Sequence, residues 1–181
     1  MKKRTQKRKI MNKKLLYLLK CFLGGERSDW LRKHGNFSLM GENVLFQPYK
    51  LPNGTQRIKI HDNVTIAADV TFYEHDVINI MFSRMDGVPY RHHQTCIEIF
   101  ENVFVGGKSI IVGNVKIGPN AIVAAGSVVT KNVEEGTIVA GNPARVIGKF
   151  EDLHKKRMAE DAFREDRTDE ENWEFFYNSS C

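Results

Sequence analysis

The chain has 181 residues, 27 of them Lys or Arg and 22 Asp or Glu, for a formal net charge of +5, and 41% of its side chains are apolar. That fits one soluble domain with appendages, long enough to bury a core. The cysteines Cys21, Cys96 and Cys181 are odd in number and lack CxxC or Cys/His zinc spacing, which argues against a disulfide framework or a cysteine nucleophile and for a reducing, cytoplasmic compartment.

Residues 1–9, MKKRTQKRK, are a charged tail. The basic residues crowd one end with no nucleic-acid-binding motif beside them, so nucleic acid is not the expected partner. In 10–23, Met11, Leu15, Leu18 and Phe22 fall on one helical stripe, which Gly24-Gly25 ends. Lys20 interrupts the apolar run and no small-residue cleavage site follows, against a signal peptide. The run is also too short to span a membrane. Two readings stay open for this helix. It packs on the domain or a neighbouring subunit, or it rests as a basic amphipathic helix on an anionic membrane. Residues 26–39 read as irregular.

From residue 40 a period of six sets in. MGENVLF (40–46) fits one repeat, LPNG (51–54) is a turn, and IHDNVT IAADVT FYEH follows from Ile60. The run 99–133 then holds six consecutive repeats: IFENVF VGGKSI IVGNVK IGPNAI VAAGSV VTKNV. Position one is Ile or Val throughout (Ile99, Val105, Ile111, Ile117, Val123, Val129). Position five is small or β-branched (Val103, Ser109, Val115, Ala121, Ser127, Val133). Six is even, so both positions face one way along an extended chain. Position four is Asn or Gly at Asn102, Asn114, Asn120, Gly126 and Asn132, with Lys108 the exception. Asn and Gly tolerate positive φ, so the chain can turn sharply once per repeat. Short strands joined by tight corners coil into a solenoid with stacked Ile and Val inside.

The pattern fails after Phe72. His75 takes the corner and Asp76 the next inward slot, where a carboxylate would be costly. Residues 77–97 are therefore an excursion loop, and loops of this length usually carry function or are disordered. Residues 134–150 close the last coil, and 151–172 read as one charged helix. Trp173, Phe175, Phe176 and Tyr177 form an aromatic cluster suited to core docking or a subunit contact. The predicted fold is all-β: a parallel β-helix of hexapeptide repeats over 40–150, a basic arm and helix over 1–39, and a charged helix and tail over 151–181.

VAAGSVVTKNVEEGTIVAGNPARVIGKF (123–150) resembles the closing coil of the hexapeptide-repeat acyltransferases, in the subgroup of galactoside, maltose and capsular-polysaccharide O-acetyltransferases. NVTIAADVTFYEHD (63–76) and NVFVGGKSIIVGNVKIG (102–118) are similar to that subgroup's middle. The resemblance implies a left-handed coil, against the right-handed crossover rule that holds elsewhere. It implies a homotrimer with acetyl-CoA between adjacent β-helices. It puts the catalytic His on His75, as general base toward the acceptor hydroxyl. Position agrees, because His75 replaces a corner residue where the coil breaks, and imidazole titrates near neutrality. A His that merely tolerates a left-handed corner is the plainer alternative.

The resemblance also puts CoA contacts on Gly107, Ala125, Thr130, Lys131 and Arg145. Gly107 and Ala125 are eighteen residues apart, one full coil, so two small residues should stack on one corner and leave room for a pantetheine arm. Backbone N–H near Gly106-Gly107 could polarise the thioester oxygen. Lys131 and Arg145 suit phosphates. The family often has Trp where Phe104 stands. The excursion supplies acceptor-binding candidates by location: Arg84, Asp86, Tyr90, Arg91, His92 and His93. The serine acetyltransferase branch has Asp-Arg-His-Pro where this chain reads YRHHQ, which lowers that reading.

The reaction implied is direct acetyl transfer in a ternary complex to a hydroxyl of a sugar or polysaccharide unit. N-acetylation of an amino sugar stays open. So does a zinc hydratase using His75, His92 and His93, although no metal is expected. A non-catalytic trimeric scaffold also stays open.

Overall fold

The structure, a computed structural model, describes residues 15–17, 19, 27–161 and 166–178. The six-residue period appears as short strands that make three walls. One sheet holds β1 (Leu39–Met40), β3 (Ile58–Ile60), β6 (Ile97–Ile99) and β9 (Val115–Ile117). The second holds β2 (Leu45–Phe46), β4 (Thr65–Ile66), β7 (Val103–Val105), β10 (Ala121–Val123), β12 (Thr137–Ala140) and β13 (Arg145–Lys149). The third holds β5 (Thr71–Tyr73), β8 (Ile110–Val112) and β11 (Val128–Val129). The chain visits the walls in turn, and Val103 pairs with Ala121, eighteen residues on. Every strand pair is parallel except β12 with β13. This is the parallel β-helix that the repeat implies, with the left hand that the resemblance implies.

The inward positions are those of the sequence pattern. Ile60, Ile66, Ile99, Val105, Ile111, Ile117 and Val123 are wholly buried, and Val64, Val70, Val103, Val115 and Ala121 fill the fifth positions. Ser109 and Ser127 are buried too, and both hydroxyls donate to the Ala124 carbonyl, at 3.1 and 2.6 Å. Six of these corners use positive φ: Asn63 56°, Asp69 62°, Asn102 57°, Asn114 65°, Asn120 52° and Gly126 72°. Asn132, expected to turn in the same way, is not among the described residues with positive φ, and its Oδ1 instead accepts the Lys116 N–H (2.9 Å). Lys108, the exception by residue type, adopts the same corner at 59°. Coil-to-coil hydrogen bonding holds a lysine where asparagine is preferred. Asn63, Asn102 and Asn120 stack on one corner, with amide-to-carbonyl bonds of 2.7 and 2.9 Å between successive side chains.

Four expectations need correction. Residues 26–39 are not irregular: helix α1 (Arg27–His34) buries Leu31, and Arg32 donates to the Gly41 carbonyl. Excursion 77–97 is not only loop, because Ile78–Asp86 forms helix α2, ended by Gly87 at φ 68°. The single helix over 151–172 is two, α3 (Phe150–Asp161) and α4 (Asp169–Asn178). On the N-terminal stripe Leu15 is 59% exposed, whereas Tyr17 is buried and donates to the Pro48 carbonyl. Met11, Leu18 and Phe22 lie outside the described residues. Residues 134–150 close the last coil on the second wall: β12 extends the second sheet, and β13 folds back on it.

The chain divides into two compact units, 1–150 and 151–181. Within the second, Trp173, Phe176 and Tyr177 contact one another on α4, and all three are exposed. Among the described residues no helix is long and apolar enough to cross a membrane.

Gly106 has no room for a side chain. A Cβ on Gly106 would lie 2.5 Å from the Ala125 nitrogen and 2.8 Å from its Cα. Gly106→Ala should therefore separate adjacent coils and cost roughly 1–3 kcal/mol in thermal or urea unfolding, whereas Lys108→Asn should hold or raise the melting temperature.

Candidate active site

The site is built where the coil breaks. Strand β5 sends Phe72 inward and Tyr73 outward. The alternation then turns Glu74 inward, and its side chain is 1% exposed. An isolated carboxylate there would be prohibitive, and it is not isolated. Arg57 Nη2 lies 3.3 Å from Glu74 Oε1, and His75 Nδ1 lies 3.2 Å from the same oxygen. Arg57 arrives from the 3₁₀ turn Thr55–Arg57. A Cβ on Gly54 would overlap the Arg57 guanidinium and come within 2.8 Å of Glu74 Oε1, so the glycine of the LPNG turn makes room for the pair. Arg57, Glu74 and Gly54 were absent from the residues expected at the site. The signal for Glu74 was available in strict two-residue alternation from Phe72.

His75 is not at a left-handed corner, since it is not among the described residues with positive φ. It makes an antiparallel bridge to Gln94. The His92 ring stands edge-on to it, 5.4 Å between centroids, and Gln94 Nε2 is 3.3 Å from His92 Nδ1. Asp76 avoids the inward slot and accepts the Ile78 N–H (3.0 Å) at the start of α2. A carboxylate paired with a guanidinium only accepts hydrogen bonds, so His75 Nδ1 carries the hydrogen toward Glu74 and Nε2 is left as acceptor.

His75 opens onto a cavity of about 440 Å³, lined by Lys50, Leu51, Pro52, Asn53 and Thr71 through Ile78. None of Arg84, Asp86, Tyr90, Arg91, His92 and His93 lines it. Arg84 and Arg91 are exposed. The Tyr90 hydroxyl donates to Asp86 (2.6 Å), and that carboxylate raises the Tyr90 pKa above its usual value. The His93 carbonyl lies 3.4 Å from the Asp76 N–H.

Thr130, Lys131 and Arg145 share a second concavity, of about 230 Å³, with Val129, Val139 and Ala144. Register places Lys131 on the same corner as His75: Tyr73 pairs with Val112, and β8 with β11. Two strand spacings, about 10 Å, separate their coils. Gly107 and Ala125 sit on a different corner, between the second and third sheets, stacked as expected, with Gly126 N–H donating to the Gly107 carbonyl (2.9 Å). The Gly106 N–H is committed to the Val123 carbonyl (2.8 Å), so it cannot also polarise an incoming thioester. Phe104 is exposed on the second sheet. Among the described residues no group of three or more His, Cys, Asp or Glu could hold a metal ion.

Residues 97–131 match the model of the bacterial transferase hexapeptide (six repeats). The galactoside O-acetyltransferase of Escherichia coli K12 is 37% identical over 100 residues, 54% of this chain and 47% of that one. A maltose O-acetyltransferase structure from Clostridium difficile 630 superposes with TM-score 0.55 at 35% identity, over 64% of this chain and 60% of that one. A hexapeptide-repeat acetyltransferase from Vibrio cholerae, solved with acetyl-CoA, shares the fold at TM-score 0.55 and 21% identity, over 78% of this chain and 87% of that one. The curated matches include N-acetyltransferases, aligned over a third of this chain. The chain spans about three-fifths or less of the curated relatives it matches.

Glu74→Gln keeps the shape and removes the charge that faces Arg57. Its expected cost is roughly 1.5–3 kcal/mol, the range for hydrogen bonds to charged groups. A denaturant melt of the variant that overlays the parent's would show that the pair contributes nothing.

Proposed function

We propose that the chain, whose residues 97–131 match the bacterial transferase hexapeptide, is a hexapeptide-repeat transferase that transfers acetyl from acetyl-CoA to a hydroxyl of a sugar or of a surface or capsular polysaccharide unit. The observation that carries this reading is the His75 imidazole, held through Nδ1 by a buried carboxylate at the edge of a cavity. His75 Nε2 takes the proton of the acceptor hydroxyl as its oxygen attacks the thioester carbonyl carbon. The new C–O bond forms, the C–S bond breaks, and the imidazolium returns the proton to the CoA sulfur. Acetyl passes directly, with no acyl-enzyme. Glu74 keeps Nε2 as the basic nitrogen and stabilises the imidazolium.

Thr130, Lys131 and Arg145 hold the CoA phosphates, and Gly107 with Ala125 give the pantetheine arm a smooth corner. These small residues lie on a different corner from His75, which supports a site completed by a second copy in a homotrimer. The outer face of the second sheet supports that assembly. Leu45, Thr65, Phe104, Ile122 and Ile138 lie in register across it and make a largely apolar row. The sugar hydroxyl enters through the Lys50–Asn53 side of the cavity, and His92 lies beside the base. The compartment proposed is the cytoplasm.

Thiol release from acetyl-CoA against a panel of sugars and amino sugars tests the reaction. His75→Ala should lower transfer by about 10²–10⁴-fold and leave acetyl-CoA binding intact. Release with amino sugars alone would move the activity to nitrogen, the reading that the N-acetyltransferase matches favour. No binding of acetyl-CoA would leave a scaffold. Lys131→Ala and Arg145→Ala should each raise the dissociation constant of CoA, an effect that shrinks as salt screens the phosphates. A matching loss with dephosphorylated pantetheine would overturn the assignment of these two cations.

A further inference from the structure

Whether His75 can act as a base depends on where one hydrogen sits. Nε2 accepts a proton only while it is bare, with the ring hydrogen on Nδ1. Nδ1 lies 3.2 Å from Glu74 Oε1, and the carboxyl group can meet it in three ways. Ionised, it accepts from Nδ1–H of a neutral ring, and Nε2 is bare. Neutral, it donates to Nδ1, and the ring hydrogen sits on Nε2. Ionised against a protonated ring, it again leaves a hydrogen on Nε2. In the last two arrangements the base is lost. Both bring in an extra proton to offset the carboxylate charge, and removal from water favours that proton unless another cation is at hand. Glu74 is 1% exposed.

Arg57 supplies the charge without a proton that can move. Its guanidinium only donates, stays charged in proteins, and reaches the same Glu74 oxygen at 3.3 Å. The other groups around the ring do not replace it. His92 stands edge-on at 5.4 Å and is engaged with Gln94. Asp76 adds negative charge and accepts the Ile78 N–H. Lys50 lines the cavity but is exposed, where water screens its charge. The Arg57 pairing is also kept at a cost. Arg57 Nε is buried with no hydrogen-bond partner, and Gly54 must lack a side chain for the guanidinium to fit. Hydrocarbon in place of a buried ion pair is often neutral or stabilising, so stability is a poor reason for this one. We propose that Arg57 is a positioning residue for the transfer: its guanidinium fixes Glu74 as an acceptor and thereby keeps His75 Nε2 free of hydrogen. The catalytic part of this inference rests on the acetyltransferase reading above. All three side chains belong to one chain, with Glu74 buried and Arg57 largely so, and the arrangement is complete before any second copy joins it.

The test uses the full chain with nitrogen-15-labelled histidine at neutral pH, the His75 ring being identified by its loss in His75→Ala. In the parent, long-range proton–nitrogen correlation should show a hydrogen on Nδ1 and a bare Nε2. Arg57→Met should put a hydrogen on Nε2 and move its nitrogen from the pyridine type to the pyrrole type. Gly54→Ala keeps all three side chains and displaces the guanidinium, so it should move the same resonance the same way. Gly54 has φ −117°, a backbone that admits alanine, and this variant carries the test if Arg57→Met does not fold. With whichever sugar supports thiol release, Arg57→Met should lower kcat about tenfold or more, short of the loss in His75→Ala, and leave the KM for acetyl-CoA unchanged. A hydrogen on Nε2 in the parent would overturn the proposal. So would a bare Nε2 in Arg57→Met, or in Gly54→Ala where Arg57→Met does not fold. A KM for acetyl-CoA that rises as kcat falls would make the pair structural and would also sink it. The nitrogen resonances need no turnover. Absence of thiol release with every sugar would therefore strike the acetyltransferase reading, and the resonances would still decide what Arg57 does to His75.

Discussion

At Asn63, Asp69, Asn102, Lys108, Asn114 and Asn120 the backbone holds φ between 52° and 65°, and the position of every other group follows from these corners. One corner per six residues returns the chain to the same wall every eighteen, so that Ile60, Ile99 and Ile117 stack on one wall and Val105 and Val123 on another. The corner conformation is unfavourable for most side chains. It persists because each turn is bonded to the next, as Lys108 N–H to the Ala68 carbonyl (3.0 Å) and Gly126 N–H to the Gly107 carbonyl (2.9 Å). Rigidity at the corners is what makes them usable as a site, because a side chain mounted there moves only if the stack moves.

Glu74 shows how the fold accommodates chemistry. A carboxylate takes a place that the stack reserves for a hydrocarbon, and the coil stops there. Its charge is met by Arg57 from one side and His75 from the other. Removing any of the three leaves the others uncompensated in a dry environment. The excursion follows from the same break. Once Asp76 turns away and starts α2, the chain leaves the wall and rejoins it at β6.

The coil was legible in the sequence because its two signals, inward Ile or Val and a corner residue, recur often enough to reinforce one another. Lys108 was legible by position although not by residue type. The helices were harder. Arg27–His34 has a single buried apolar residue, Leu31, so it carries no stripe to read. Ile78–Asp86 carries a stripe that faces away from the core, the reverse of the usual expectation. Tyr17 replaced Leu15 inside because its hydroxyl finds the Pro48 carbonyl, a partner 31 residues away that no local pattern contains. At the site, His75 stood out as an interruption of the repeat. Arg57 and Gly54 did not, because their roles exist only once the break brings Glu74 over the LPNG turn.

Strand β13 runs against β12, in a sheet whose other pairings are all parallel. A stack of identical coils has an inherent hazard: its last rung is a template for another copy's first rung, and nothing in the repeat itself says where growth should stop. By reversing direction, and by placing Arg145 and Lys149 at its two ends, β13 offers an incoming coil the wrong polarity on the longest wall. The five residues Arg145–Lys149 thereby cap the second sheet.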